Sequence, residues 1–188
     1  MLEHILQCDK TVFLGLNFDG GALLDRFFLV LTDTFSWMAV YLLIVVLLWR
    51  RYGWRYTLLA VAFIAATAGL MAVASEVFKE IFQRPRPLYD TDLEGLVHTA
   101  GAYHRSLFGT VSGHTAASCA IMTLSTTLVR RKWFTVLMIV WVVLVAYSRI
   151  YLGLHFPLDI VLGAVMGIVT GVLMVRLFRR MVARFSDR

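Results

Sequence analysis

Five long apolar stretches, separated by short basic or polar turns, constrain this chain more than any other feature. About 20 apolar residues in a helix match the hydrocarbon thickness of a bilayer. A backbone in lipid must also satisfy its own hydrogen bonds, so each stretch is expected as a transmembrane helix. The spans read as residues 29–49, 56–78, 112–129, 133–147 and 158–175, with Asp33 tolerable near the outer end of the first. Ahead of them, residues 1–18 set Leu2, Ile5, Leu6, Val12, Phe13 and Leu16 at mixed three- and four-residue spacings. That pattern predicts an amphipathic helix in the interface, broken over 17–21. The expected fold is all-α: a polytopic membrane helical bundle of about five transmembrane helices plus an N-terminal interfacial amphipathic helix. One domain fills 1–188, with 1–22 interfacial, 23–180 the transmembrane bundle and 88–111 an outer loop.

Composition agrees, since 60% of the residues are hydrophobic and 16% charged, against roughly a quarter charged in a soluble domain. A cytosolic globule and a disordered chain are both excluded. The two cysteines, Cys8 and Cys119, make no disulfide framework and are expected to pack. Residues 1–10 carry Glu3 and Asp9 and lack a basic stretch before an apolar run, so no cleavable leader is expected. The net charge of +6 does not point to nucleic acid, because the positive residues sit at span ends, where cytoplasmic anchoring accounts for them.

Arg50, Arg51, Arg55, Arg130, Arg131, Lys132, Arg176, Arg179, Arg180, Arg184 and Arg188 fall on one side, which is expected to be cytoplasmic, as is the carboxyl terminus. Lys79, Arg84, Arg86, Arg105 and Arg149 fall on the other. Positive charge kept on the outer face calls for a functional reason. Gly163, Gly167 and Gly171 form a four-residue repeat in the last span, a seam for close helix approach, with packing inside the monomer preferred to a dimer contact.

Three segments of that outer face hold the unusual polar residues: 79–87, Ser112-Gly113-His114, and Ser148-Arg149 with His155 and Asp159. The span order brings them to one membrane depth. Lys79, Arg86 and Arg149 can neutralise a dianionic phosphoryl group, the two guanidinium forks bridging pairs of its oxygens. Ser112 and Gly113 open a helix, so free N–H groups and the helix dipole face an anion there. His155 and Asp159 stand four apart at a helix start. The carboxylate can accept from one imidazole nitrogen and leave the other free as a nucleophile. His114 could protonate the leaving oxygen from the opposite side, as in-line displacement requires.

Lys79 with six residues to Arg86-Pro87, then Ser112-Gly113-His114, then Arg149 with five residues to His155 and three more to Asp159, resembles the type-2 phosphatidic acid phosphatase superfamily, membrane lipid phosphatases related to vanadium haloperoxidases. The resemblance runs from about the second span to the end of the fifth and leaves the first 50 residues without a motif. It implies a metal-independent hydrolase with no cofactor, a phosphohistidine intermediate on His155, Asp159 orienting that ring, and His114 as acid and then base. Lys79, Arg86, Ser112, Gly113 and Arg149 would hold the phosphoryl oxygens. The chain departs from the family at Val111, where proline is usual, which relaxes the turn into the third span.

The substrate expected is a membrane lipid carrying a phosphate or diphosphate: undecaprenyl diphosphate, phosphatidic acid, phosphatidylglycerol phosphate or a lipid A phosphate. The location expected is a bacterial inner membrane, with the active site on the periplasmic or outer side. A phosphotransferase passing the same phosphoryl group to another lipid, and a non-enzymatic lipid-binding or translocating protein, are the alternatives. Asp90, Asp92 and Glu94 invite a divalent cation but are expected to be solvated, and Asp19-Gly20 lacks the further aspartates of a CDP-alcohol phosphotransferase. Tyr89, Tyr103, His104 and Arg105 of the outer loop are expected to bear on specificity, while His4 and His98 are read as ordinary interface or loop residues.

Overall fold

A computed structural model describes residues 1–102 and 106–186, so Tyr103, His104, Arg105 and Arg188 lie outside the described residues. The described residues form seven α-helices: α1 Leu2–Leu16, α2 Gly21–Thr32, α3 Met38–Tyr52, α4 Trp54–Phe82, α5 Gly113–Val129, α6 Lys132–Tyr151 and α7 Pro157–Ser186.

Among the described residues, four segments are long and apolar enough to cross a membrane: Thr34–Tyr52, Trp54–Phe82, Lys132–Tyr151 and Pro157–Arg184. The fifth expected span, α5, has 17 residues, about 26 Å of helix. It packs against α3, α4, α6 and α7. With protein rather than lipid around it, α5 can carry Thr115, Ser118 and Ser125 fully buried, each hydroxyl donating to an oxygen three residues back, on Ser112, Thr115 and Met122 respectively. Arg51 and Tyr52, at the end of α3, donate to the carbonyls of Val129 and Leu128 at the end of α5. Both helices therefore reach the same end of the bundle, and the basic turns gather there.

The first span is corrected. Helix does not run through 29–49 but stops at Thr32, and a 3₁₀ turn over Thr34–Trp37 leads into α3. The cause is Asp33, whose carboxylate accepts from the backbone N–H of Phe35 and caps the turn instead of riding along a span. The fourth span is longer than 133–147: α6 runs on to Tyr151, so Arg149 stands in its last turn and not in a connection.

The glycine repeat of α7 packs within the monomer. A Cβ at Gly163 would come within 2.7 Å of the Ser112 carbonyl oxygen, and one at Gly167 within 2.2 Å of the Ala116 carbonyl oxygen. Gly167→Ala should therefore force α5 and α7 apart and destabilise the bundle by about 1–3 kcal/mol. Gly69→Ala, where nothing lies within 4 Å of an added Cβ, should leave the thermal midpoint of the detergent-solubilised protein unmoved. An unchanged midpoint for both would show that the seam is loose.

The amino-terminal helix meets the bundle by a face that hydrophobic periodicity did not mark. Ile5, Val12 and Leu16 are exposed, as suits a helix against lipid. The residues turned inward are Asp9, Phe13 and Asn17, spaced by four. Asn17 Oδ1 accepts from His98 N at 2.7 Å, and its Nδ2 lies 2.8–3.0 Å from the carbonyl oxygens of His98, Ile150 and Tyr151. Cys8, expected to pack, is exposed; Cys119 is buried.

Candidate active site

Each motif occupies the end of a helix, and the helix ends converge. Lys79 lies in the last turn of α4, which closes with Gln83 in a left-handed conformation. The chain then runs extended, pairing backbone with 107–109: Arg86 N donates to Leu107 O, and Gly109 N donates to Arg84 O. This short pairing carries Arg86 inward, where it is fully buried. Its Nε donates to Ser106 O at 2.9 Å and its Nη1 to Leu154 O at 2.8 Å. Ser112 caps α5, its Oγ accepting from Thr115 N and from the Thr115 hydroxyl. The backbone N–H of Ser112 donates to the carbonyl of Asp159, which ties the start of α5 to the start of α7.

Six of the eight predicted site residues, Lys79, Arg86, Gly113, His114, Arg149 and His155, line one cavity of about 600 Å³. The other two, Ser112 and Asp159, lie fully buried outside that lining. The His114 ring stands edge-on to Trp37, centroids 5.8 Å apart. Gly113 permits a close crossing, because a Cβ there would meet Ser75 Oγ at 2.6 Å.

The tautomer of His155 is fixed by a partner that the spacing argument did not name. Nδ1 lies 2.8 Å from the Gly109 carbonyl oxygen and 3.4 Å from Asp159 Oδ2. A carbonyl only accepts, so Nδ1 carries the proton and Nε2 presents its lone pair. Arg86 Nη1 donates to that lone pair across 3.1 Å. The position requires glycine for space, since a Cβ at Gly109 would come within 2.8 Å of Arg86 Cγ. Burial first, then the cations Arg86 and Arg149, hold the His155 imidazole well below its ordinary value of 6.5; the Gly109 carbonyl opposes them, and Lys79 adds the least to the lowering. Burial also pulls the Arg86 guanidinium down to about 10, which leaves it charged at neutral pH.

The cations differ in how they are held. Lys79 Nζ donates to Glu76 Oε1 at 2.5 Å, one turn back on α4, and Glu76 is exposed at the rim. Arg149, 3% exposed, donates from Nη1 to the Thr32 hydroxyl, while its Nε has no hydrogen-bond partner among the described residues. Asp159 Oδ2 accepts from Phe156 N, and its Oδ1 accepts from Arg84. The outer-loop carboxylates are less free than expected, because Lys10 pairs with both Asp90 and Asp92 at 2.7 Å. His98 is likewise engaged, its Nε2 2.8 Å from Asp25 Oδ1.

Sequence reasoning missed Gly109, Arg84, Thr32 and Ser75. Arg84 was visible only as one more outer charge, and the other three belong to no motif spacing.

Comparisons with known proteins point to one family. The chain is 30% identical over 163 residues to the lipid A 4'-phosphatase of Porphyromonas gingivalis, covering 86% of this chain and 69% of that one. It is 27% identical to the lipid A 4'-phosphatase of Bacteroides thetaiotaomicron, covering 100% of this chain and 84% of the relative. The crystal structure of Aquifex aeolicus LpxE superposes with a TM-score of 0.69 at 26% identity, over 88% of this chain and 93% of that one. Residues 56–182, which hold all three motifs, match the PAP2 superfamily, and the chain belongs to it.

Proposed function

We propose that this chain is a lipid phosphatase that hydrolyses a phosphate ester of a membrane lipid through a phosphohistidine on His155, with a lipid A phosphate as the leading substrate. One observation carries the reading: the charged cavity shares Tyr41, Ala68 and Ile121 with a second cavity of about 430 Å³, walled otherwise by Ile44, Val45, Val61, Ile64 and Ala65 between α3 and α4. A ligand with an anionic head and a hydrocarbon tail fits both at once. The two curated relatives named above make lipid A the first lipid to try. Undecaprenyl diphosphate, phosphatidic acid and phosphatidylglycerol phosphate share the same chemistry of head and tail.

In this reading Lys79, Arg86 and Arg149 hold the phosphoryl oxygens, aided by the N–H groups at the start of α5 near Ser112 and Gly113. Arg86 Nη1 transfers its hydrogen bond from His155 Nε2 to a phosphoryl oxygen. Nε2 attacks phosphorus while the ester oxygen leaves with a proton from His114. Water, deprotonated by His114, then attacks the phosphohistidine, releasing phosphate and the neutral ring. Asp159 supports the positive charge on the imidazole in between.

By the positive-inside rule, the basic turns support a site on the outer face of a bacterial inner membrane, with the carboxyl terminus in the cytoplasm. Residues 1–22 would then lie at the outer surface as an interfacial unit on the bundle.

The test is phosphate release in detergent from the four lipids, with His155→Ala alongside. Release from one lipid that depends on His155 supports the reading. Release only when an acceptor lipid is added would favour the phosphotransferase, and none at all would favour a binding protein. Three cations supply the charge neutralisation that a divalent metal supplies in other phosphatases. Excess EDTA should therefore leave the rate within about twofold, while orthovanadate, resembling five-coordinate phosphorus, inhibits. A strict Mg²⁺ requirement would contradict the mechanism.

A further inference from the structure

The amino-terminal helix lies outside the family match, which begins at residue 56, yet one of its side chains reaches the motif residues. Asp9 is 8% exposed. Its Oδ2 accepts from Arg84 Nη2 at 2.7 Å, and its Oδ1 accepts from the backbone N–H of Leu158 in the first turn of α7 at 2.9 Å. The other arm of the same guanidinium, Nη1, donates to Asp159 Oδ1 at 3.0 Å. Arg84 thus bridges two buried carboxylates, and its Cζ sits 4.1 Å over the Phe156 ring, which in turn packs edge-on against Phe13 of α1.

We propose that Asp9 and Arg84 are positioning residues that hold Asp159 behind His155, so that the motif-free amino-terminal helix completes the active site. The inference rests on the phosphatase reading above. Asp159 has its two oxygens committed in different directions, Oδ1 to Arg84 and Oδ2 to Phe156 N and the His155 ring. A carboxylate gripped on one side keeps its second oxygen aimed. Asp9 also divides the charge. The trio Asp9, Arg84 and Asp159 carries one net negative charge, which the imidazole needs when it gains positive charge on phosphorylation. Without Asp9, the guanidinium would be left to Asp159 alone and would neutralise it.

Asp9→Asn separates this role from packing, because the amide oxygen can still accept from Leu158 N while the charge is lost. Arg84→Lys keeps the charge but cannot bridge two carboxylates as a fork. Asn17→Ala is the control: it loosens the same helix through its other anchor and touches neither Arg84 nor Asp159. The substrate is whichever of the four lipids the wild-type chain hydrolyses fastest. Expected is a fall in kcat of about tenfold or more for Asp9→Asn and Arg84→Lys, with KM within about twofold because the phosphate-holding cations are untouched. The double variant should fall no further than the worse single one, since both act along one path. Asn17→Ala should lower the thermal midpoint and leave kcat per folded molecule unchanged. Should Arg84→Lys fail to fold, Asp9→Asn carries the test alone. Wild-type kcat in Asp9→Asn, or activity lost only in step with folded protein as in Asn17→Ala, would overturn the proposal. A wild-type chain that hydrolyses none of the four lipids, like His155→Ala, would instead remove the phosphatase reading on which it rests.

Discussion

His155→Ala is expected to lower phosphate release by at least about 10³-fold in a protein that still folds. The ring presents a nitrogen lone pair held by a fixed tautomer: Nδ1 donates to Gly109 O and Nε2 faces the cations, accepting from Arg86 Nη1. Removing it leaves Gly109 O without that donor. Arg86 keeps its bonds to the carbonyls of Ser106 and Leu154. The stability cost should therefore be small, about 1 kcal/mol, and a single elution peak with a near-native thermal midpoint would verify folding. The same environment sets a pH dependence. The imidazole is held well below 6.5 by burial first and by Arg86, Arg149 and Lys79 after it. A group with a depressed value stays neutral, and hence nucleophilic, until the pH falls through that lowered value. The acid limb of kcat/KM belonging to His155 should lie below pH 6.5, and Lys79→Met, which removes one of the depressing cations, should move it upward. An acid limb at or above 6.5 in the wild-type enzyme would contradict the assignment of Nε2 as the attacking atom.

Much of this was legible in the sequence because the motifs sit where local rules are strong. Apolar length located the crossings, and the order of crossings alone requires Lys79, Ser112, Arg149 and His155 to share one end of the bundle. Where expectation failed, a side chain overrode the pattern. Asp33 ends a helix that hydropathy would continue, because its carboxylate bonds to Phe35 N. The buried face of α1 is written in Asp9, Phe13 and Asn17, and a search for apolar periodicity discards two of those three. Gly109 and Arg84 were illegible for another reason. Their roles depend on which carbonyl and which carboxylate tertiary packing brings within 3 Å, and no spacing along one helix encodes a contact between residues 109 and 155 or between 9 and 84. The His155–Asp159 spacing did predict adjacency. The shorter bond of Nδ1 nevertheless goes to Gly109, so the carboxylate is the lesser of two restraints on the ring.

Arg149→Met should exchange function for stability. Arg149 is a guanidinium 3% exposed, with one hydrogen bond to Thr32, an unpartnered Nε, and no ion pair among the described residues. Keeping such a charge out of water costs several kcal/mol unless an anion offsets it. The fold therefore carries a cost that a bound phosphoryl group would relieve, and a methionine of similar length fills the space without it. The thermal midpoint of Arg149→Met should rise, corresponding to about 1 kcal/mol or more. Hydrolysis should fall by about 10²–10³-fold, because one arm of the charge clamp on the transferring group is gone. Arg149→Lys should not restore it, since an ammonium cannot present two parallel N–H groups. Orthovanadate supplies the decisive comparison. It should raise the midpoint of the wild-type protein by mass action, to the extent its concentration exceeds its Kd, and raise that of Arg149→Met far less. A variant that loses stability together with activity would make Arg149 a structural cation, and the orphaned Nε would then have to be satisfied by water within the bundle.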